Sequence, residues 1–249
     1  MLILSIDTAT PVAGVALVDD RKTCYEALAN TGYKHSRTLL QMIDVSFQQT
    51  GYTLHDVDVI AVTIGPGSFT GLRIGLAAAK GLALAAGKAI IGIPTLDAIA
   101  HNLGWSRDLI CPMLNARKGE VYTSFYHGGT RLTEYQALSP DNLVKTARRV
   151  MEQTGCSTVT FLGDGVNEYL SLLQESLGDA VVSLPGYWLP RVSAVGSLAA
   201  DRWRRGQVDD VFGLTPIYVR KSEAEVRMSR LEGGGELGVN DQRDEAQGP

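Results

Sequence analysis

The first thirty residues carry apolar blocks of strand length that are separated by polar turns. Residues 2–6 and 12–18 are almost entirely apolar, and the turn-forming cluster Asp7–Pro11 stands between them. A further β-prone stretch covers residues 23–28. Short apolar runs bounded by Asp, Thr and Pro are typical of strands. The pattern therefore predicts three consecutive strands, the first two joined by a short polar loop.

The spacing of apolar residues changes between residues 36 and 50. Leu39, Ile43 and Phe47 recur at every fourth position, and Gly51 follows them. A four-residue period places these side chains on one face of a helix, and glycine commonly ends a helix. This segment is predicted to be an amphipathic helix with one face on the core.

A strand–helix–strand–helix series follows. Residues 57–64 form an apolar, β-rich run that leads into a glycine-rich segment at 65–71 and then into a helical segment at 72–86. A short strand is predicted at 89–93, and a helix that Pro94 and Thr95 open extends to about residue 103.

The second half of the chain repeats this order of elements. The predicted elements are strands at 109–114, 120–126 and 131–135, a helix at 140–153, a strand at 158–162, a helix at 166–177, a strand at 180–184 and a helix at 193–205. The repeated pattern predicts an α/β fold with two tandem βββαβα lobes, an N-terminal lobe at residues 1–106 and a C-terminal lobe at residues 107–221.

The acidic residues are concentrated at the C-terminus. Residues 222–249 carry seven acids and three bases, a net charge of −4 that equals the formal charge of the whole 249-residue chain. The rest of the chain is therefore neutral and gains no electrostatic attraction to nucleic acid by itself. The tail is rich in Gly, Glu and Gln, and it is predicted to be disordered. Arg148–Arg149 and Arg202–Arg205 fall at predicted helix C-termini, where cations complement the helix dipole; this interpretation is preferred to an RNA-binding patch.

Membrane and secreted classes are disfavoured by the sequence. The most apolar stretch covers residues 72–86 and carries Arg73 and Lys80, and it is shorter than the roughly 20 residues of a membrane span. No signal peptide is predicted, because the chain opens with a strand-like run. The three cysteines form no CxxC pair, so no disulfide framework or cysteine metal site is predicted. We expect a cytoplasmic protein without a membrane partner.

The segment Gly65–Gly71, GPGSFTG, is the most distinctive local motif. It lies between a strand and a helix, where exposed N–H groups at the helix N-terminus can bind an anion. It does not match the GxGxxG, Walker A or GxSxG patterns. Two interpretations stay open at this point, an anion-binding turn and a tight strand–helix connection.

The helix after this motif is unusually rich in small residues. Gly71, Gly75 and Ala79 recur at four-residue spacing, and Ala78 lies beside them. Glycine in a helix interior costs about 1 kcal/mol relative to alanine, so this pattern indicates close backbone approach. The approaching group is either the chain's own core or a partner protein, and the sequence does not decide between them.

Catalytic groups are sparse. The four histidines show neither HxxxH nor HExxH spacing, so no histidine metal pair, and no metal site, is predicted. Asp7 and Thr8 at the end of the first strand could hold a phosphate or a metal, although Asp also commonly forms turns. Arg117 in the corresponding turn of the second lobe could bind a phosphate, or it belongs to a solvated hairpin turn. No catalytic residue is predicted.

Five segments resemble the bacterial TsaB (YeaZ) family. They are MLILSIDTAT, GPGSFTGLRIG, IGIPTLDAIA, LNARKGEVY and TPIYVRK, and the resemblance covers about residues 1–221. The doubled pattern with a DTAT turn after the first strand also looks like the actin-like ATPase, or ribonuclease H-like (ASKHA), fold. Asn115 stands where many relatives carry aspartate, which puts a role for a carboxylate there in doubt.

The resemblance implies a role in making N6-threonylcarbamoyladenosine at position 37 of tRNAs that read ANN codons. It implies a non-catalytic scaffold or activator of a TsaD-like transferase, which acts with a TsaE-like P-loop ATPase and reaches tRNA through the complex. A homodimer when the chain is alone stays open, because a face that binds a homologous lobe could also bind a second copy of the chain. No resident cofactor is expected, apart from weak ATP or ADP binding within the complex.

The resemblance also places the partner surface on helices 36–50 and 71–86. The residues expected there are Leu39, Leu40, Ile43, Phe69, Gly71, Leu72, Ile74, Gly75, Ala78, Ala79 and Leu82. A residual nucleotide or anion site is expected at Asp7, Thr8, Arg117, Gly163 and Gly165.

Two other hypotheses belong to different functional classes. The first is an ASKHA-type nucleotide-dependent phosphotransferase or ATPase that uses Asp7 as its metal-side carboxylate. The sequence of the turn after the first strand argues against this hypothesis, because DTAT lacks the glycine of a DxGT phosphate turn. The second is a peptidase, which has no recognisable nucleophile or metal set in its favour.

Overall fold

The computed structural model describes residues 1–19, 22–30, 32, 34–188 and 190–220. The predicted acidic tail, residues 222–249, lies outside the described residues. Within residues 1–219 the chain forms two mixed β-sheets with helices packed on them.

The first sheet has the strand order β3-β2-β1-β4-β5. β1, β2 and β3 form an antiparallel meander, and β4 and β5 continue the sheet parallel to β1. Parallel neighbours need a crossover, and helices provide it between β3 and β4 and between β4 and β5. The strands are β1 (Leu2–Asp7), β2 (Val12–Asp19), β3 (Thr23–Asn30), β4 (Val59–Gly65) and β5 (Ala89–Pro94).

The second sheet repeats this topology, with the order β10-β7-β6-β11-β12 and with β8 and β9 paired beside β6. Its strands are β6 (Leu109–Asn115), β7 (Val121–Thr123), β8 (Tyr126–His127), β9 (Thr130–Arg131), β10 (Gln136–Leu138), β11 (Val159–Leu162) and β12 (Val181–Ser183).

The hairpin strands of this sheet are more broken than the sequence predicted. The single strand expected at 120–126 is divided into β7 and β8, and the strand expected at 131–135 is replaced by the short β9 and β10. At the interruption the chain bonds to Thr133 instead of continuing the ladder: the Thr133 side chain accepts from the Phe125 N–H at 3.0 Å, and the Thr133 carbonyl accepts from the Ser124 hydroxyl at 2.6 Å.

Six α-helices complete the described fold. They are α1 (His35–Thr50), α2 (Phe69–Ala86), α3 (Thr95–His101), α4 (Pro140–Thr154), α5 (Val166–Leu177) and α6 (Val192–Arg204). α1 and α2 cover one face of the first sheet, and α6 covers the other. α4 and α5 cover one face of the second sheet, and α3 packs against the opposite face.

The chain returns to the first sheet after completing the second. α6 packs on β1 and β2, and Arg202 then binds both the Gly92 carbonyl at 2.7 Å and the carboxylate of Asp209 at 3.0 Å. The segment that follows runs beside β4 and β5, where the Ile217 N–H donates to the Ile64 carbonyl at 2.6 Å. The division into lobes at residues 106 and 107 stays a prediction; the sheets change there, but the last helix belongs to the first sheet.

Candidate functional site

The glycine-rich loop after β4 is folded against the turn that follows β1. Ser68 is the N-cap of α2, and its hydroxyl accepts from the Gly71 N–H at 3.2 Å. The Ser68 N–H in turn donates to the Ala9 carbonyl at 2.7 Å. A Cβ on Gly67 would lie 2.5 Å from the same carbonyl, so only glycine allows this approach.

α2 continues the contact over its first two turns. A Cβ on Gly71 would overlap the carbonyl oxygen of Thr8, and a Cβ on Gly75 would overlap its side-chain hydroxyl. The Thr8 hydroxyl donates to the Gly71 carbonyl at 2.8 Å. Of the two interpretations of the small residues, close approach within the chain's own core therefore accounts for Gly71 and Gly75.

The turn that the sequence singled out as an anion site is closed by this packing. Asp7 is 1% exposed and Thr8 is completely buried. The Asp7 Oδ1 atom accepts from the Ala9 N–H at 2.9 Å and from the Thr63 hydroxyl at 2.6 Å, whereas its Oδ2 atom has no hydrogen-bond partner among the described residues. Burial raises the pKa of the Asp7 carboxyl, against the opposing effect of these hydrogen bonds.

These residues do not fit a bound nucleotide phosphate. The ASKHA fold implies that a phosphate would lie against the turn after β1, but the first turn of α2 occupies that side of Thr8. A phosphate would also need to reach a carboxyl that is sealed from solvent. The structure therefore argues against a phosphotransfer step that uses Asp7.

His35 links the start of α1 to the same turn. Its side chain is completely buried, and its Nε2 atom lies 2.9 Å from the Thr10 carbonyl oxygen. Sequence reasoning missed this contact, because a single histidine at a predicted helix start gives no signal of its partner. The contact fixes α1 beside the closed turn.

The remaining predicted anion-site residues lie at the carboxyl end of β6. The Arg117 N–H donates to the Asn115 side chain at 2.7 Å, and the Asn115 N–H donates to Asp164 at 3.0 Å. Gly163 has a φ of 97°, and a Cβ there would overlap the Met113 carbonyl. Arg117, Gly163 and Gly165 are thus brought to one strand end, whereas the contacts of Asp7 and Thr8 lie at the end of β1.

The Asp164 carboxylate, which lies between these two glycines, mainly accepts hydrogen bonds from backbone N–H groups. Burial raises the pKa of its carboxyl, although the N–H groups of Asn115 and Gly165 oppose that shift. The Asn115 side-chain amide donates to Glu168 at 2.5 Å. An aspartate at position 115 would place a third carboxylate here, so the asparagine suits its acidic neighbours.

The predicted partner surface divides into two sets by exposure. Six members are buried in the first lobe: Leu39, Ile43, Gly71, Leu72, Gly75 and Ala79. The others are partly or fully exposed: Leu40, Phe69, Ile74, Ala78 and Leu82. The buried set packs within the chain, and the assignment of all eleven residues to a partner surface stays a prediction.

The outward side of α2 contains residues that sequence reasoning did not select. We define the α2 outer face as Thr70, Arg73, Ala77, Gly81, Leu84 and Ala85, all of which are exposed. Leu84 is 53% exposed, and no atom lies within 4 Å of a Cβ built on Gly81. A helical projection that placed Leu72, Leu76 and Ala83 inside would have identified this face.

Aromatic residues from the C-terminal segment border this face. The Tyr218 ring lies 4.9 Å from the ring of Phe69, and its hydroxyl accepts from Arg73 Nε at 3.2 Å. Phe212 is 76% exposed, and its carbonyl accepts from Lys80 at 3.2 Å. The sequence gives no signal for these contacts, since they join residues more than 130 positions apart.

No group of three or more His, Cys, Asp or Glu side chains is arranged to hold a metal ion within the described part of the chain. Among the described helices, α2 alone is long and apolar enough to cross a membrane by length and composition. Leu72, Leu76, Ala79 and Ala83 of α2 are buried against the sheet, so packing accounts for that composition.

Comparison with known proteins gives a consistent result. The family profile described as "TsaD: tRNA N6-adenosine threonylcarbamoyltransferase" matches residues 29–228. The Bacillus subtilis "tRNA threonylcarbamoyladenosine biosynthesis protein TsaB" is 29% identical, covering 91% of this chain and 97% of its own length. The Escherichia coli protein with the same description is 32% identical, covering 90% and 96%.

Solved structures agree on the fold. A Pseudomonas aeruginosa crystal structure, described as an uncharacterized protein with similarity to peptidase YEAZ, superposes with a TM-score of 0.73 and 25% identity, covering 88% of this chain and 99% of that one. The prediction of an α/β, actin-like ATPase fold is confirmed.

Proposed function

We propose a partner-subunit role for this chain, which belongs to the TsaB family of tRNA threonylcarbamoyladenosine biosynthesis proteins. It has a role in tRNA threonylcarbamoyladenosine biosynthesis, and the TsaB family takes part in that process with TsaD-type proteins. The chain acts as a non-catalytic scaffold and activator, and the chemistry takes place on a TsaD-like transferase.

The closed turn after β1 is the observation that carries the non-catalytic role. Asp7 and Thr8 are sealed under the first turns of α2, so the carboxyl that a phosphotransferase would use is not accessible. The same glycines that close this turn bring α2 close to the sheet and leave its other side free for a partner.

The α2 outer face supports the docking part of the proposal. Ala77, Gly81 and Ala85 are small, and Arg73 is its one charged residue. Small residues let a partner helix approach closely, and an apolar face of this kind is typical of a protein interface. The TsaD profile matches most of this chain, so the proposed partner shares the fold and offers a homologous helix pair.

The proposed interface keeps only the accessible members of the predicted surface. Leu40 of α1 is 61% exposed, and Phe69, Ile74, Ala78 and Leu82 are partly exposed on α2. They extend the α2 outer face on its flanks. A second copy of the chain could use the same surface when no transferase is present, because two-fold pairing is the commonest form of oligomer.

The proposed scaffold role places the chain in a larger complex. A TsaE-like P-loop ATPase joins the pair, tRNA is reached through the complex, and the protein works in the cytoplasm.

The direct test is reconstituted threonylcarbamoyl transfer to tRNA with a TsaD-like enzyme and its ATPase partner. We expect modification to require this chain, and we expect the chain alone to modify nothing. Modification that proceeds equally well without the chain would refute the proposed role. ATP turnover by the isolated chain that is lost in Asp7→Ala would support the phosphotransferase hypothesis instead.

The interface is tested with charges on the α2 outer face. Ala77→Glu and Leu84→Glu each place a carboxylate at the proposed interface, and we expect the dissociation constant of the heterodimer to rise by about 30-fold or more. Gln174→Glu is the matched control, because Gln174 is an exposed residue of α5 on the second sheet. Analytical ultracentrifugation measures both heterodimer and homodimer. Unchanged affinity in both α2 variants, with intact folding, would place the interface elsewhere.

A further inference from the structure

A small cavity lies where α3 meets the β8–β9 hairpin, away from the closed turn and the α2 outer face. Its volume is about 140 Å³. Ala100, Ile110 and Leu198 form an apolar wall, and Asp97, His101 and Arg131 supply polar groups. The cavity therefore combines a carboxylate, a guanidinium and a short apolar surface in one partly open space.

The Asp97 carboxylate is held in place by two tyrosines. Its Oδ1 atom accepts from the Tyr126 hydroxyl at 2.6 Å and from the Tyr135 hydroxyl at 2.8 Å. Burial first, and then the negative charge of Asp97, raises the pKa of both tyrosines, so both remain protonated donors. The orientation of the carboxylate is thus fixed before any ligand arrives.

The second oxygen of this carboxylate is available. Every hydrogen bond and ion pair that the described residues make with Asp97 goes to Oδ1, and Oδ2 receives none. The Asp97 side chain is 30% exposed, so this oxygen is not sealed from ligands.

Arg131 is oriented in the same way but is only loosely paired. Its guanidinium carbon lies 4.2 Å above the centre of the Tyr135 ring, and its nearest nitrogen is 3.9 Å from Asp97 Oδ1. That separation is too long for a hydrogen bond. The Tyr135 ring and hydroxyl therefore hold the guanidinium at the cavity. A guanidinium has five N–H donors, so donors that do not face Tyr135 can bind an anion.

The two charges restrict the kind of ligand. A simple cation would be repelled by Arg131, and a simple anion would be repelled by Asp97. A molecule that carries both charges on groups attached to one carbon atom satisfies both side chains. A cavity of about 150 Å³ accommodates a molecule the size of benzene, so this one suits a ligand of roughly six to eight non-hydrogen atoms.

We propose that this cavity binds a free α-amino acid with a short side chain, with its ammonium group on Asp97 Oδ2 and its carboxylate on Arg131. The side chain lies against Ala100, Ile110 and Leu198. This site is independent of the proposed scaffold role, since none of these residues belongs to the α2 outer face.

The test is a titration of the full chain with glycine, L-alanine and L-threonine, followed by NMR. We expect saturable binding of L-alanine with a dissociation constant on the order of 1 mM, which is ordinary for a six-atom ligand. N-acetyl-L-alanine lacks the ammonium group and L-alaninamide lacks the carboxylate. We expect each of them to bind at least about 10-fold more weakly, because one charge-assisted hydrogen bond is lost.

Single-residue variants test whether L-alanine binds in this cavity. Asp97→Asn keeps an oxygen for both tyrosines and removes the charge, and Arg131→Gln removes the guanidinium; each should weaken L-alanine binding at least about 10-fold. Leu198→Phe fills the cavity from its apolar side and should have the same effect. Glu175→Gln and Arg107→Gln, two exposed charges outside the cavity lining, are the matched controls and should bind normally.

Three results would overturn the proposal. They are the absence of saturable binding by any of the three amino acids, equal binding of the two capped analogues, and unchanged binding in both Asp97→Asn and Arg131→Gln. Circular dichroism and the melting temperature establish that each variant is folded. Arg131→Gln alters an exposed side chain, so the test survives even if Asp97→Asn is unstable.

Discussion

Two glycines of α2 are expected to respond in opposite ways to the same substitution. Gly75 and Gly81 both lie in the interior of the helix, so replacement by alanine raises intrinsic helix stability by about 1 kcal/mol at either position. Their surroundings differ. Gly75 is buried against Thr8, whereas no atom lies within 4 Å of a Cβ built on Gly81.

The cost at Gly75 can be worked out from its contact. A new Cβ would overlap the Thr8 hydroxyl, and Thr8 is completely buried and donates to the Gly71 carbonyl at 2.8 Å. Overpacking costs about 1–3 kcal/mol, and losing the hydrogen bond costs about 1 kcal/mol more. After the gain in helix propensity, Gly75→Ala should destabilise the fold by about 1–3 kcal/mol. Gly81→Ala should stabilise it by up to about 1 kcal/mol.

The assay is urea unfolding of both variants, followed by circular dichroism, with the melting temperature as a second readout. A difference of about 3 kcal/mol corresponds to roughly 6–12 °C for a domain of this size. A double variant serves as the control: Thr8→Ala removes the obstructing hydroxyl, so Gly75→Ala should cost less in that background. A Gly75→Ala variant as stable as Gly81→Ala would refute the close packing of α2 on the turn.

Three further predictions concern polar contacts around the first sheet, and urea unfolding tests each of them. Ser68→Ala should destabilise the fold by about 1 kcal/mol, because α2 loses its N-cap; no loss would contradict the cap. Burial alone would raise the pKa of Glu26, but the hydrogen bonds from Arg191 and Ser193 outweigh it and hold the pKa below its ordinary value. Ionised Glu26 therefore stabilises the fold above its unfolded pKa, and Glu26→Gln should be more destabilising at about pH 7 than at about pH 3. Burial raises the pKa of Asp7 in the folded chain. The stability that the protonated carboxyl contributes is therefore complete below the unfolded-state pKa of 3.8 and is lost as the pH rises through the folded-state pKa. Asp7→Asn should accordingly gain stability relative to the native chain between about pH 4 and pH 7. A pH-independent difference would contradict either assignment.

The order of elements could be predicted from the sequence because local periodicity determines it. The four-residue spacing at Leu39, Ile43 and Phe47 corresponds to α1 (His35–Thr50), and the helix predicted at 166–177 has the observed bounds of α5. Interactions between distant residues were not predictable. The break between β7 and β8 depends on Thr133, and the placement of α6 on the first sheet depends on contacts with β1 and β2.

The candidate site shows the same difference between local patterns, which the sequence reveals, and long-range contacts, which it does not. Glycines at four-residue spacing indicated close approach, but a single sequence does not reveal what approaches. Thr8 lies 63 residues before Gly71, and their hydrogen bond is apparent only in the folded chain. The cavity beside α3 was missed entirely, because Asp97 and Arg131 belong to unrelated segments and form no motif.

The close packing of α2 on the turn after β1 has two consequences. It buries the turn, and it exposes the α2 outer face. Gly71 and Gly75 let α2 lie close to Thr8, and this contact turns Ala77, Gly81 and Leu84 away from the sheet. If those glycines carried side chains, α2 would have to move outward; the turn after β1 would then open, and the apolar outer face would shift from its present position. A chain that keeps α2 in place for docking therefore also keeps Asp7 sealed. The burial of Asp7 and the position of the proposed partner surface are consequences of the same close packing.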